Sequence, residues 1–151
     1  MKAIITNPSW YDIEKATAVL CNQILKANIG FDYIIGFGRG GLVPAVLMSH
    51  MLSIPMIPIT YSSKEGKGDD KNHANVLPPI PENPIDTNRI LLVDDIVDSG
   101  LTMAEVENHY EKTCRVNTAA LYWKTTSVDR PTFHRFAIPG DAPFIVFPWE
   151  I

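Results

Sequence analysis

Residues 89–102 read RILLVDDIVDSGLT, which predicts a strand that leads through a turn into a helix. The apolar run over 89–93 is continuous, as in strands of a parallel sheet that are covered on both faces. Asp94 and Asp95 stand at its carboxyl end, and apolar residues on one side of 102–112 predict a helix there. A buried strand that ends in two acidic residues is therefore the central feature of this chain.

Strands and helices alternate in both directions from this stretch. Pro55 and Pro58 in the second strand favour an edge position or an irregular start, and Pro44 is expected in the first turn of the second helix. The alternation indicates one α/β domain over residues 1–151, an open, mainly parallel twisted sheet with helices on both faces. The predicted helices cover residues 12–28, 42–52 and 102–112, and the predicted strands cover residues 32–37, 54–61, 89–93, 116–123 and 133–138.

Two segments show no periodic pattern. Residues 62–88 are polar and glycine-containing at first and then rich in proline. A structureless segment of that length is usually a functional lid or a linker, and because little chain remains for a second domain, we predict a mobile lid over 62–88. Residues 139–151 are rich in proline and are expected to form a C-terminal cap.

Composition limits the possible partners. Thirteen basic and seventeen acidic residues give 151 residues a formal charge of −4, which offers no general attraction for nucleic acids or anionic lipid. No apolar stretch approaches the roughly 20 residues needed to span a bilayer. Cys21 and Cys114 lie far apart in a chain that starts without a signal-like segment, so we expect free thiols and a cytoplasmic location. Any anionic ligand must be held locally.

The acidic turn has the composition of a ligand site. Adjacent carboxylates repel each other, and this is tolerated where they bind a divalent metal or the hydroxyl groups of a ligand. Residues 99–102 add two hydroxyls and backbone N–H groups at a helix N-terminus, which suits a phosphate. The alternative is a surface turn in which Asp98 or Ser99 caps the helix, but a cap explains one residue and not the set.

A second glycine-rich turn, GFGRGG, occupies residues 36–41 between a strand and a helix. It matches the dinucleotide-binding pattern G-x-G-x-x-G, but that mechanism needs an acid about 20 residues later, and the strand at 54–61 has none. Two interpretations stay open: an anion site formed by backbone N–H groups and Arg39, or a tight structural turn. The sequence contains no Walker motif for ATP hydrolysis.

Residues 93–102 resemble the phosphoribosyl-pyrophosphate motif of type I phosphoribosyltransferases. Residues 38–44 resemble the pyrophosphate loop of the bacterial xanthine-guanine members, and 62–88 falls where those enzymes carry a mobile lid. Pro148, Trp149 and Glu150 resemble the Pro-Trp-acid of the same group. The similarity extends from about residue 31 to residue 150 and implies the type I phosphoribosyltransferase fold with a base-binding hood over 139–151.

The resemblance also implies roles for individual residues. Asp94 and Asp95 would bind the ribose hydroxyls, Asp95 in addition Mg²⁺, and Arg39 and Gly40 would bind pyrophosphate. The 5′-phosphate would be held by a four-residue loop, namely Ser99, Gly100, Leu101 and Thr102.

The base side of the site is implied in the same way. Asp98 is expected to exchange a proton with the ring nitrogen of a purine, because 6-oxopurine enzymes carry an acid there. Lys124 would contact the 6-oxo group, and Phe144 and Ile145 would stack on the ring and offer main-chain contacts.

The function implied is Mg²⁺-dependent transfer of a 5-phosphoribosyl group from phosphoribosyl pyrophosphate to guanine, xanthine or hypoxanthine, as in purine salvage, by a homodimer or homotetramer. Two alternatives are a regulator with the same fold that binds nucleotide without catalysis, and a transferase for a different base.

Overall fold

A computed structural model describes residues 3–61 and 77–151. Within these residues the chain forms three helices and five strands in alternating order. They are α1 (Trp10–Ala27), β1 (Tyr33–Phe37), α2 (Gly38–Leu52), β2 (Met56–Ile59), β3 (Arg89–Val97), α3 (Leu101–Tyr110), β4 (Arg115–Lys124) and β5 (Phe133–Ile138).

The five strands form one parallel sheet in the order β2-β1-β3-β4-β5. The acidic strand β3 is therefore central, and it pairs with β4 from Arg89 opposite Arg115 to Val97 opposite Trp123. Strand β2 lies at an edge, as its prolines predicted. The predicted fold class, an open parallel sheet covered by helices, is confirmed.

Each face of the sheet packs against different helices. Leu91 and Val93 belong to the core beneath α1 and α2, whereas Ile90 and Leu92 belong to the core beneath α3, and all four are fully buried. Successive strand residues point to opposite faces, so a strand buried on both sides must be apolar throughout. This explains the uninterrupted apolar run over 90–93.

Helix α2 begins earlier than predicted, at Gly38 instead of residue 42, so Pro44 lies in the helix interior and not in its first turn. The glycines are poor helix formers in isolation, but here they allow close packing. A Cβ on Gly36 would lie 2.7 Å from the Ala45 Cβ, and one on Gly41 would lie 2.6 Å from the Val93 carbonyl oxygen. The start of α2 therefore fits against the sheet only because Gly36 and Gly41 have no side chains.

Of the predicted lid, residues 62–76 lie outside the described residues. Residues 77–88 contain no helix or strand, and they contact the α3 side of the sheet, where Ile80 is buried and the Tyr110 hydroxyl donates to the Pro78 carbonyl at 2.9 Å. Residues 139–151 likewise form no helix or strand. Across both described ranges, no helix has the length and apolarity that a bilayer crossing requires.

Candidate active site

The loops after β1 and β3 meet at the carboxyl edge of the sheet. These strands are neighbours, but the chain leaves β1 for the face that carries α2 and leaves β3 for the face that carries α3. In open α/β sheets such a reversal opens a crevice at the strand ends, where ligands bind. Both sequence motifs, 36–41 and 94–102, lie at this crevice.

The glycine turn lies directly against the acid pair. A Cβ on Gly40 would overlap the Asp95 carboxylate, and Gly38 has a left-handed backbone with φ of 67°. Arg39, between them, is exposed in the first turn of α2. Close packing explains the glycines, and it also brings the start of a helix, with the exposed Arg39 in its first turn, against the strand that carries the two carboxylates.

Asp94 and Asp95 lie inside β3, which extends four residues beyond the predicted end at residue 93. The Asp94 Oδ1 accepts a hydrogen bond from the Asp95 N–H at 2.9 Å, and the Asp95 Oδ1 accepts one from the Ile96 N–H at 2.7 Å. Burial, followed by the charge of Asp95, raises the pKa of Asp94 well above its usual range. Burial also raises the pKa of Asp95. The pair therefore favours a ligand that supplies protons or positive charge.

The pair also fits a magnesium ion of the kind that a substrate brings. Mg²⁺ usually keeps several waters and binds through one or two carboxylates plus substrate phosphates. Among the described residues, no group of three or more His, Cys, Asp or Glu side chains is placed to hold a metal. Two adjacent carboxylates agree with such partial coordination and not with a cage formed by the protein alone.

The predicted phosphate loop wraps a small cavity at the start of α3. The cavity has a volume of about 90 Å³, and Asp94, Asp98, Ser99, Gly100 and Thr102 are among its lining residues. The Ser99 Oγ accepts a hydrogen bond from the Leu101 N–H at 3.3 Å, whereas Leu101 itself is exposed. The residue at the N-cap of α3 is Gly100, and no side chain caps it, so neither Asp98 nor Ser99 has the capping role that the alternative gave them. The Asp98 carboxylate has a different partner.

That partner is Lys124, the last residue of β4. Its Nζ lies 2.9 Å from the Asp98 Oδ1, with 69% of the Asp98 side chain and 18% of the Lys124 side chain exposed. Since β3 and β4 are neighbours, the two residues meet where their strands end. The structure therefore brings together the two polar residues that were predicted from the sequence to face the base.

The predicted hood residues are not equivalent. Phe144 is 80% exposed, whereas Ile145 is 4% exposed and belongs to the core beneath α1 and α2. Phe147 stacks on Trp149 with 4.7 Å between ring centroids, and the Val146 N–H donates to the Thr6 carbonyl at 2.8 Å. Residues 139–151 are thus anchored to the rest of the domain, and within them Phe144 is the most exposed aromatic side chain.

Larger cavities, of about 550 and 580 Å³, occur elsewhere in the described part of the chain. One lies between α1 and β5 and includes Lys15 and Arg135, and the other lies among residues 79–88. Neither includes a predicted site residue.

Comparison with known proteins covers nearly the whole chain. A family model described as "Phosphoribosyl transferase domain" matches residues 9–151. The xanthine-guanine phosphoribosyltransferase of Idiomarina loihiensis is 27% identical over 143 residues, which cover 95% of this chain and 85% of that protein. The protein of the same name from Cereibacter sphaeroides is 33% identical over 125 residues, covering 82% and 72%. The crystal structure of a purine phosphoribosyltransferase from Pyrococcus horikoshii aligns with a TM-score of 0.75 and 29% identity, covering 96% and 93%.

Proposed function

The chain belongs to the phosphoribosyltransferase family, and we propose that it transfers the 5-phosphoribosyl group of phosphoribosyl pyrophosphate to a 6-oxopurine. The predicted enzyme class, a phosphoribosyltransferase, is confirmed by the family match. For the purine, the observation that carries the proposal is the pair of Asp98 and Lys124, 2.9 Å apart beside the acid pair and the phosphate loop. The names of the xanthine-guanine and purine relatives support the same substrate class.

In this reaction the bond between C1 of the ribose and the pyrophosphate oxygen breaks, and a bond from a purine nitrogen to C1 forms. Positive charge develops on the sugar ring and negative charge on the leaving pyrophosphate, so fixed donors and carboxylates stabilise the transition state. We assign the ribose hydroxyls to Asp94 and Asp95, the 5′-phosphate to residues 99–102, and the pyrophosphate to Arg39 and Gly40. Pyrophosphate leaves with the bonding electrons.

A magnesium ion, bound through Asp95, would neutralise charge on the pyrophosphate as it leaves. The proton that the purine nitrogen loses goes to the Asp98 carboxylate, which is exposed enough to meet a base in the crevice. Lys124 keeps that carboxylate in place and donates to the 6-oxo group. Phe144 stacks on the purine and the main chain of Ile145 completes its contacts. We further propose that residues 62–88 act as a lid over the site. The proposed location is the cytoplasm, and the proposed assembly is a homodimer or homotetramer.

A base panel tests the substrate class directly. The protein is incubated with Mg²⁺, phosphoribosyl pyrophosphate and one of guanine, xanthine, hypoxanthine, adenine, orotate or uracil, and pyrophosphate release is followed. We expect release with at least one of the first three bases. Release with only adenine, orotate or uracil would replace the 6-oxopurine by another acceptor. No release with any base, together with tight binding of a purine nucleotide, would favour the non-catalytic regulator.

The role of Asp98 is tested by Asp98→Asn. The amide keeps the shape but cannot take the proton, so kcat should fall by about 10²–10⁴-fold, the usual contribution of a general acid or base. The KM for phosphoribosyl pyrophosphate should hardly change. Glu14→Gln is the control, because Glu14 is an exposed residue of α1 and belongs to none of the segments assigned to the site. Equal turnover by Asp98→Asn and wild type would rule out the role.

A further inference from the structure

The short connection between β4 and β5 contacts the predicted phosphate loop. The Val128 N–H donates to the Ser99 carbonyl at 2.8 Å. Gly100 has a left-handed backbone with φ of 85°, and a Cβ there would lie 2.7 Å from the Asp129 nitrogen. Residues 128 and 129 therefore lie against the backbone of two residues that are expected to hold the 5′-phosphate.

Hydrogen bonds to the end of β4 hold this connection in place. The Trp123 Nε1–H donates to the Ser127 Oγ at 2.9 Å, and the Ser127 hydroxyl in turn donates to the Asp129 carbonyl. The Ser127 N–H also donates to the Lys124 carbonyl at 2.9 Å. The Arg130 guanidinium lies 5.0 Å from the centre of the Trp123 ring. One hydroxyl thus links the end of β4 to the residue that packs on Gly100.

From these contacts we propose that Ser127 is a positioning residue for the 5′-phosphate loop, acting through the hydrogen bond between Val128 and Ser99. A loop that binds an anion with backbone N–H groups works only when those groups already point at one place. Among the described residues, the bond from the Val128 N–H is the one backbone hydrogen bond that reaches Ser99 or Gly100 from a distant segment of the chain. The inference rests on the proposed function, because it assigns a support to that same site.

The experiment measures binding of ribose 5-phosphate by calorimetry, which probes the phosphate loop without turnover. Ser127→Ala removes both hydroxyl bonds, and Trp123→Phe removes one of them while keeping an aromatic ring under Arg130. Each variant should weaken the affinity by about three- to tenfold, as expected for lost hydrogen bonds. Ser127→Thr keeps a hydroxyl and should restore most of the affinity. In the base assay, Ser127→Ala should raise the KM for phosphoribosyl pyrophosphate and leave kcat nearly unchanged.

Ser49→Ala is the matched control. The Ser49 hydroxyl also donates to a backbone carbonyl, that of Ile54, but at the C-terminal end of α2 and far from the crevice. It should lower the melting temperature without changing the affinity. If Ser127→Ala behaves like this control, the inference is wrong and the proposed function stands. If wild type binds ribose 5-phosphate but transfers it to no base, the proposed transfer fails while the binding data still decide the role of Ser127. If wild type does not bind ribose 5-phosphate, the assigned phosphate loop and the role of Ser127 are wrong, and the base panel alone decides the proposed transfer.

Discussion

At the scale of single residues, Glu107 of α3 is the acid whose protonation is most unusual outside the crevice. Burial, followed by Asp129 and then Glu111, raises its pKa to about 8. The Asp129 Oδ2 is buried and has no hydrogen-bond partner in the described part of the structure. A protonated Glu107 can donate to the Asp129 carboxylate, which is the neighbouring side chain that raises its pKa most. Asp129 also packs on Gly100. The proton of Glu107 therefore lies next to a residue that contacts the predicted phosphate loop.

This proton makes stability depend on pH. The pKa of Glu107 rises from 4.5 to about 8 on folding, so the folded state holds the proton more tightly than the unfolded chain does. Its contribution is full at acidic pH and is lost as the pH rises through that window. Glu107→Gln keeps a donor and does not titrate, so the variant should melt at a higher temperature than wild type at pH 9 and show little gain at pH 5.

Melting curves at both pH values check this prediction. Glu14→Gln serves as the control, because Glu14 is an exposed residue of α1. Its difference from wild type should be the same at pH 5 and at pH 9. If the melting temperatures of Glu107→Gln and wild type also differ by the same amount at both pH values, Glu107 is already ionised in the folded protein at neutral pH and the prediction is wrong.

At the scale of elements, the turn from β1 into α2 combines two different steric constraints. A Cβ on Gly40 would meet the end of a side chain, the Asp95 carboxylate, whereas a Cβ on Gly41 would meet the backbone, at 2.6 Å from the Val93 oxygen. A carboxylate can rotate away, but the backbone of a central strand cannot move without disturbing the sheet. Substitutions of Gly40 and Gly41 should therefore have different effects on stability and binding.

Alanine substitutions separate these effects. Gly40→Ala should keep nearly the wild-type melting temperature but lose most of the affinity for ribose 5-phosphate, because the displaced Asp95 no longer faces the sugar. Gly41→Ala should lower the free energy of unfolding by about 1–3 kcal/mol, the usual cost of overpacking. Calorimetric binding and thermal melting measure both. Equal loss of stability in the two variants would show that the Asp95 carboxylate is as rigid as the strand.

The same elements show what the sequence could predict. The order of helices and strands, the parallel sheet and the edge position of β2 followed from periodicity and from the prolines. The end of β3 and the start of α2 did not, because Asp94 interrupts the apolar run and glycine is a poor helix former, while pairing with β4 and packing against β3 override both preferences.

The candidate site divides in the same way. Asp98 and Lys124 were expected at the base through a family resemblance, and their contact follows from the pairing of β3 with β4. The bond between Val128 and Ser99 was not foreseen, because it joins two irregular segments and has no local pattern. The sequence also could not predict the unequal burial of Phe144 and Ile145, since both are apolar residues in a segment without periodicity.

At the scale of the whole molecule, the chain carries a net charge of −4, although the substrate of a phosphoribosyltransferase is itself strongly anionic. The topology makes binding possible despite this charge. Because the chain leaves β1 and β3 toward opposite faces, helix N-termini, backbone N–H groups and Arg39 lie together at the carboxyl edge of the sheet. The same edge holds two carboxylates with raised pKa values, an arrangement that costs stability in the absence of a ligand. Ligand and metal together should therefore stabilise the whole fold.

Thermal melting tests this balance. Phosphoribosyl pyrophosphate with Mg²⁺, at about 100 times its Kd, should add about 2.7 kcal/mol of stability, which corresponds to roughly 5–10 °C for a domain of this size. With EDTA in place of Mg²⁺ the increase should be smaller. Asp95→Asn should melt at a higher temperature than wild type without ligand, because a buried charge beside Asp94 is removed, yet lose the Mg²⁺-dependent part of the increase. Glu14→Gln, an exposed change in α1 outside the proposed site, should do neither. An increase in melting temperature that is the same with Mg²⁺ and with EDTA would contradict a metal at Asp95.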